Sequence, residues 1–151
     1  MAVYQILTEP DQALRTQSKP VKNINDGVRR VLDNMRETMY AFDGVGLAAI
    51  QIGVPKRMIV VDPGDNFVEL INPVIISKDG EKKASEGCLS VPGKVGLVNR
   101  ALKITVKALN REGEEFTLEA EDLFARVLQH EIDHLDGILF VDLATHIREE
   151  E

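Results

Sequence analysis

The chain has one cysteine, three histidines and no tryptophan among 151 residues, and nowhere an uncharged apolar run of the roughly 18 residues needed to span a bilayer. A single cysteine excludes an internal disulfide; in a reducing compartment such a residue is a small buried hydrophobe, a nucleophile or a metal ligand. Basic residues are also in deficit, 18 against 25 acidic ones, for a formal charge of −7. That balance opposes non-specific attraction to nucleic acid or anionic membrane and leaves a small neutral molecule or a peptide as the expected partner. The first residues have no basic start followed by an apolar stretch, so the expected location is the cytoplasm. Gly and Pro fall singly as turn punctuation, and no repeat or low-complexity linker divides the chain. One domain covering residues 1–151 is the expectation, since this length buries one continuous core but not two comfortable ones.

What is present is strongly patterned. Val28, Val31, Leu32, Met35, Met39 and Phe42 recur at three- and four-residue steps, predicting an amphipathic helix with Asn25 as its cap and Gly44 beyond its end. Residues 58–61, 67–76 and 102–109 are short, rich in Val and Ile, and bounded by turn formers, so they read as strands. Ile104, Val106 and Ala108 alternate with Lys103, Thr105 and Lys107, and Asn110 to Gly113 turns the chain into Phe116-Thr-Leu118, which predicts a half-buried antiparallel hairpin. A second helix follows, with Glu119, Glu121 and Asp122 at its positive end, Leu123, Phe124, Val127, Leu128 and Leu135 on its apolar side, and Gly137 as its stop. A helix, several strands and a helix indicate an α+β domain rather than a parallel βαβ repeat.

That second helix carries His130-Glu131-Ile132-Asp133-His134. Histidines four apart share one helix face with their rings one turn apart and can grip one ion. Glu131 projects roughly 100° around the helix from His130, near enough to hold a water molecule without becoming a ligand. A His-x-x-x-His pair by itself is more often coincidence; the embedded Glu shifts the balance toward catalysis. Catalytic zinc-type sites need three protein ligands and an open position, so a third ligand is required from elsewhere. His146 sits in a charged terminal segment where a solvated role is expected, and Cys88 is the stronger candidate. In the extended protease form of the motif a third His follows Gly137 by three residues, but Phe140 stands there, which excludes that ligand set. A metallopeptidase with a distant third ligand, and a closed non-catalytic metal site, remain as alternatives at this point.

Read with two upstream segments, the helix motif resembles the peptide deformylase family: Gly44-Val-Gly-Leu-Ala-Ala-Ile-Gln51, Glu86-Gly-Cys-Leu-Ser90 and Gln129-His-Glu-Ile-Asp-His134 match its three signature motifs in order. The similarity runs from the first helix to about Leu143. It implies antiparallel β-sheets packed around a central C-terminal helix that bears the motif, and an N-terminal amphipathic helix. It implies a metal-dependent hydrolase that takes the formyl group from formylmethionine at the N-terminus of newly synthesised peptides and releases formate. Cys88, His130 and His134 would be the metal ligands, Glu131 the acid/base acting on the attacking water, and Gln51 with the backbone N–H of Leu89 the oxyanion hole.

On residue chemistry alone a thiolate with two imidazoles points to Zn²⁺. The resemblance implies one divalent ion, natively Fe²⁺ and replaceable by Zn²⁺, Ni²⁺ or Co²⁺. It also implies an extended N-formylmethionyl nascent peptide paired with main-chain groups near Gly46 and beyond Leu89, its first side chain in an apolar pocket for which Val45, Leu89 and Val127 are candidates. Transient proximity to the ribosome would follow from such a substrate. Arg126 stands where an apolar residue is also common in the family, so a more polar pocket rim is expected. Glu86 and Arg100 are candidates for an ion pair steadying the Cys88 segment, and Asp133 for orienting a ligand histidine. Longer family members carry a basic C-terminal helix, whereas this chain ends in Arg148-Glu-Glu-Glu151, so docking to the ribosome through the tail is not expected.

Overall fold

Asn25 begins the first helix as its sequence predicts: its side chain accepts the Val28 N–H, occupying one of the donors that a helix start leaves free. The helix, α1 (Asp26–Ala41), buries Leu32, Met35 and Met39, and ends where Phe42 and Gly44 return N–H bonds to Thr38 and Met39. These features belong to a computed structural model that describes residues 2–150. Strands are numbered in chain order. A five-stranded antiparallel sheet runs β1–β2–β3–β6–β7, made of Gly46–Ala48, Met58–Val61, Val68–Asp79, Lys103–Leu109 and Glu115–Glu121. A second, three-stranded antiparallel sheet runs β4–β5–β8, made of Lys82–Cys88, Val91–Arg100 and Thr145–Glu149. The second helix, α2 (Asp122–Leu135), and a single turn, α3 (Phe140–Leu143), complete the α+β arrangement.

Strand β2 explains the layering. All four of its residues are buried, with alternate side chains going to opposite faces. Met58 and Val60 join Leu32, Met35 and Met39 of α1 in one apolar cluster, whereas Ile59 and Val61 join Leu128, Ile132 and Leu135 of α2 in another. The five-stranded sheet is thus covered by a helix on each face, each fully buried aliphatic side chain contributing about 1.5–3 kcal/mol. The second sheet has its own smaller cluster, in which Val91 and Val98 pack with Leu14, Leu139 and Phe140. None of the described helices is long and apolar enough to cross a membrane.

The structure departs from the sequence reading in four places. The strand expected at 67–76 continues to Asp79, because β6 keeps pairing as far as Asp79↔Lys103. Residues 82–100, with Lys and Gly interrupting any apolar alternation, nevertheless form the β4–β5 hairpin. Glu119 belongs to β7 rather than to the helix start, since the hairpin ladder runs on to Lys103↔Glu121; Glu121 ends the strand and is at the same time the N-cap of α2, with Asp122 in its first turn. The terminal segment forms β8 against β5; its residues are all exposed, His146 included, while Glu151 lies outside the described residues.

Gly137 stops α2 as expected. It has φ +74°, and a Cβ there would sit 2.5 Å from the Arg15 carbonyl oxygen. Strain and overlap act together, so Gly137→Ala is expected to destabilise by about 2–3 kcal/mol. In thermal melts of the purified variant this appears as a fall in Tm of roughly 5–10 °C; an unchanged Tm would show that the backbone relaxes freely.

Candidate functional site

The helical spacing of His130 and His134 puts both rings on the side of α2 that meets the end of β4, where Cys88 lies. The donor atoms of Cys88, His130 and His134 all lie within 4.8 Å of one another, and the Cys88 sulfur is 3.3 Å from His134 Nε2. A tetrahedral ion with metal–sulfur and metal–nitrogen bonds of about 2.3 and 2.0–2.1 Å needs donors roughly 3.3–3.6 Å apart, so the three fit one ion with little adjustment. Among the described residues no fourth Cys, His, Asp or Glu joins this group, which matches an open coordination position rather than a closed structural site.

Glu86 fixes the orientation of the first ring. Burial works against its charge, but hydrogen bonds from Arg100 and His130 prevail and hold its pKa at about 2. An ionised carboxylate can only accept, so His130 Nδ1, 3.0 Å from Glu86 Oε1, carries a hydrogen, and Nε2 is the nitrogen left for a ligand. Burial likewise disfavours charge on His130, yet Cys88, Glu86 and Glu131 raise its pKa to about 10, so an ion binding at Nε2 displaces a proton. His134 is fully buried, and burial followed by the His130 charge keeps its pKa well below the usual imidazole value.

Glu131 is 5% exposed, and its Oε1 has no hydrogen-bond partner. Burial, with help from Glu86 and Asp133 and against the pull of His130 and Arg100, pushes its pKa up to about 7. An unpartnered buried carboxylate oxygen beside a metal cradle is a place for a water molecule and a proton acceptor for it.

Gln51 approaches from the other side. Its Oε1 accepts the Ala48 N–H at 2.9 Å, which turns its amide N–H₂ toward Ser90 Oγ at 3.0 Å and Cys88 Sγ at 3.8 Å. A cavity of about 470 Å³ brings these parts together. Its walls include Gln51, Cys88, Leu89, His130 and Glu131, and also Val45, Gly46 and Val127. His134 is not on the wall but beneath it. Val127 is 6% exposed and also belongs to the α2 core cluster, whereas Val45 is 46% exposed at the mouth.

Two expectations need refining. Arg126 does line the cavity, but it is buried, with its guanidinium engaged by Glu86 and by the carbonyls of Lys82 and Val98 rather than free at the mouth. Asp133 orients no ligand ring; it pairs with Arg100, whose Nε and Nη2 also form a bidentate pair with Glu86. The sequence reading gave Glu86 its Arg100 partner but missed its bond to His130. It also missed Ser90, whose hydroxyl accepts from Gln51 and whose N–H points to the Cys88 sulfur at 3.4 Å. The signal for Ser90 was its position two residues after a ligand, in the turn between β4 and β5.

The chain is similar throughout to proteins of one known family. The family model described as Polypeptide deformylase matches residues 3–150. The peptide deformylase of Syntrophomonas wolfei subsp. wolfei is 64% identical over 148 residues, covering 98% of this chain and 97% of that protein. That of Carboxydothermus hydrogenoformans is 58% identical over 147 residues, covering 97% of each. The crystal structure of the Thermotoga maritima peptide deformylase superposes with a TM-score of 0.92 at 42% identity, covering 95% of this chain and 98% of that one. The chain therefore belongs to the peptide deformylase family, metal-dependent hydrolases that remove the N-formyl group from nascent peptides.

Proposed function

We propose that the chain deformylates N-formylmethionyl peptides as one catalytic domain, with Cys88, His130 and His134 holding a single divalent ion and Glu131 moving the proton. The observation that carries this reading is the convergence of three donors beside a buried carboxylate oxygen that has no partner. When bound, the ion supplies the positive charge that acidifies water and polarises a carbonyl.

This chain's own groups do the rest. Glu131 accepts the proton of the water that attacks the formyl carbon. The oxyanion that forms takes hydrogen bonds from the Gln51 amide, already turned inward by Ala48, and from the Leu89 N–H; a donor of this kind is worth about 3 kcal/mol. As the C–N bond breaks, Glu131 returns its proton to the leaving amine, giving formate and a free N-terminus. The peptide has two sheet edges to pair with. β1 and β4 are each outermost in their sheets, and Gly46 of the one and Ser85, Glu86, Gly87 and Cys88 of the other line the cavity. An extended chain between them gains main-chain hydrogen bonds whatever its later side chains, while Val45, Leu89 and Val127 enclose the first one. Beyond Leu89, Gly93, Lys94 and Val95 of β5 line the same cavity.

Fe²⁺ is the native ion in this reading, with Zn²⁺, Ni²⁺ and Co²⁺ as substitutes; a thiolate among two imidazoles suits all four. The motif-bearing α2 is the central helix of the domain, the enzyme works in the cytoplasm, and its contact with the ribosome is transient, through the nascent peptide. The deciding experiment combines metal analysis of anaerobically purified protein with formate release from formyl-Met-Ala. One Fe²⁺ per chain and stoichiometric formate are expected, and Cys88→Ala is expected to lose both. Formate release that survives in metal-free Cys88→Ala, or cleavage of an internal amide in an unformylated peptide, would overturn the proposal.

A further inference from the structure

The helix that carries two ligands and the sheet that carries the third are poorly joined by backbone. α2 lies close to β1, β2, β6 and β7, all in the five-stranded sheet, and approaches β4 and β5 far less. The distance between the Cys88 sulfur and the two rings therefore depends on the turn α3, which follows α2 and packs on β4 and β5, and on side chains that reach across the gap. Gln129 of α2 bonds the Ala101 backbone and His130 bonds Glu86, and two arginines add further links. Arg100 on β5 holds Glu86 and reaches Asp133 on α2. Arg126 extends the other way, from α2, and donates to Glu86 Oε2, to Val98 O on β5 at 3.0 Å and to Lys82 O on β4 at 2.6 Å.

We infer that Arg126 is a positioning residue for the metal centre, tying both strands of the β4–β5 hairpin to α2 so that Cys88 stays in register with His130 and His134. The register supports this. Lys82 pairs with Arg100 and Ala84 with Val98, so the two carbonyls that Arg126 holds lie two rungs apart on one ladder, with only Lys83↔Asn99 between them. Lys82 and Glu86 lie four residues apart on β4, and only Gly87, where the ladder register shifts, separates the clamped carboxylate from Cys88. A planar guanidinium with both terminal nitrogens engaged fixes an orientation as well as a distance, which a lysine ammonium cannot do. The role is geometric rather than electrostatic. Arg100 alone keeps Glu86 paired through two hydrogen bonds, so removing Arg126 leaves neither Glu86 nor His130 Nδ1 without a partner.

The inference rests on the ligand set proposed above, and the test separates the two. Co²⁺ is titrated into metal-free protein and read through its thiolate charge-transfer band, alongside kcat and KM for formyl-Met-Ala. Wild-type protein should show the band; its absence would remove the ligand set and the inference with it. Arg126→Met keeps an unbranched stem but loses the three hydrogen bonds, and is expected to weaken Co²⁺ binding and lower kcat about 10- to 100-fold, with a shifted band and a KM within about threefold. Arg126→Lys should fall between the two, and it carries the same test if Arg126→Met does not fold. Arg111→Met, which loses an ion pair with Glu69 and Asp33 elsewhere in the fold, controls for stability alone and should bind Co²⁺ as wild type does. An Arg126→Met or Arg126→Lys protein with wild-type Co²⁺ affinity, band and kcat, changed only in Tm, would overturn the inference.

Discussion

Glu131→Gln is expected to retain one metal ion per chain and to lower kcat for formate release by about 10³-fold, the middle of the range for loss of a positioned proton carrier. The substitution keeps the side chain's shape and its place on α2. The ligands are separate residues, so metal content should not change. What disappears is the ability to take a proton and hand it back, because an amide titrates nowhere near neutrality. KM should change little, since the carboxylate holds the reacting water rather than the peptide. Stability moves the other way. Glu131 is buried with an unpartnered oxygen, and burial has already pushed its pKa up to about 7, so the carboxylate is a burden on the metal-free fold. Metal-free Glu131→Gln should melt at least as high as metal-free wild type, the usual signature of a group kept for chemistry rather than for stability. Metal analysis, steady-state kinetics and calorimetry on the same preparation check all three expectations. Full turnover by the variant would require a different base.

The parts of this fold that were legible in the sequence are those where one local rule dominates. α1 shows a helical apolar period with an Asn cap, and β6 and β7 show strict alternation around an Asn-to-Gly turn; each was placed within two or three residues. β2 was visible because its four apolar residues are buried on both faces. The β4–β5 hairpin was not visible. Its strands Lys82–Cys88 and Val91–Arg100 carry lysines, glycines and a proline, and their outward positions are solvated, so the pattern that marks a half-buried strand is diluted. β8 was hidden for the same reason, as every one of its residues is exposed and only pairing with β5 defines it.

The site divides along the same line. His130, Glu131 and His134 sit at helical spacing, so their shared face follows from the sequence itself. Cys88 was reached only by elimination and by resemblance, because its approach to the rings depends on the hairpin that the sequence concealed. The partners of Arg126 and Asp133 do not follow from the sequence, because both depend on which strand crosses α2. A buried guanidinium bonded to two strand carbonyls can be recognised only once those strands have been placed.

Gly46→Ala tests the tightest contact in the active site. Gly46 pairs with Val61 in β1, and a Cβ built on it would lie 2.6 Å from Glu131 Oε2, 2.9 Å from Glu131 Cγ and 2.8 Å from Val127 Cγ1. The strand cannot retreat, because its neighbours Leu47 and Ala48 are fully buried and its register is set by β2. Val127 is β-branched on a helix and has almost one rotamer to use. The carboxylate is what can move. A displacement of about 1 Å is enough to cost roughly 10²-fold in rate, so kcat is expected to fall at least that far while metal content stays at one ion per chain. The overlap should also destabilise by about 1–3 kcal/mol, visible in Tm. The sharper measurement is the double variant. If Gly46 matters to catalysis because it leaves room for Glu131, then Gly46→Ala made in the Glu131→Gln background should cause little further loss of kcat, since both changes act through one group. A further 10²-fold loss there would mean that Gly46 serves the peptide directly, through the main-chain pairing at the β1 edge.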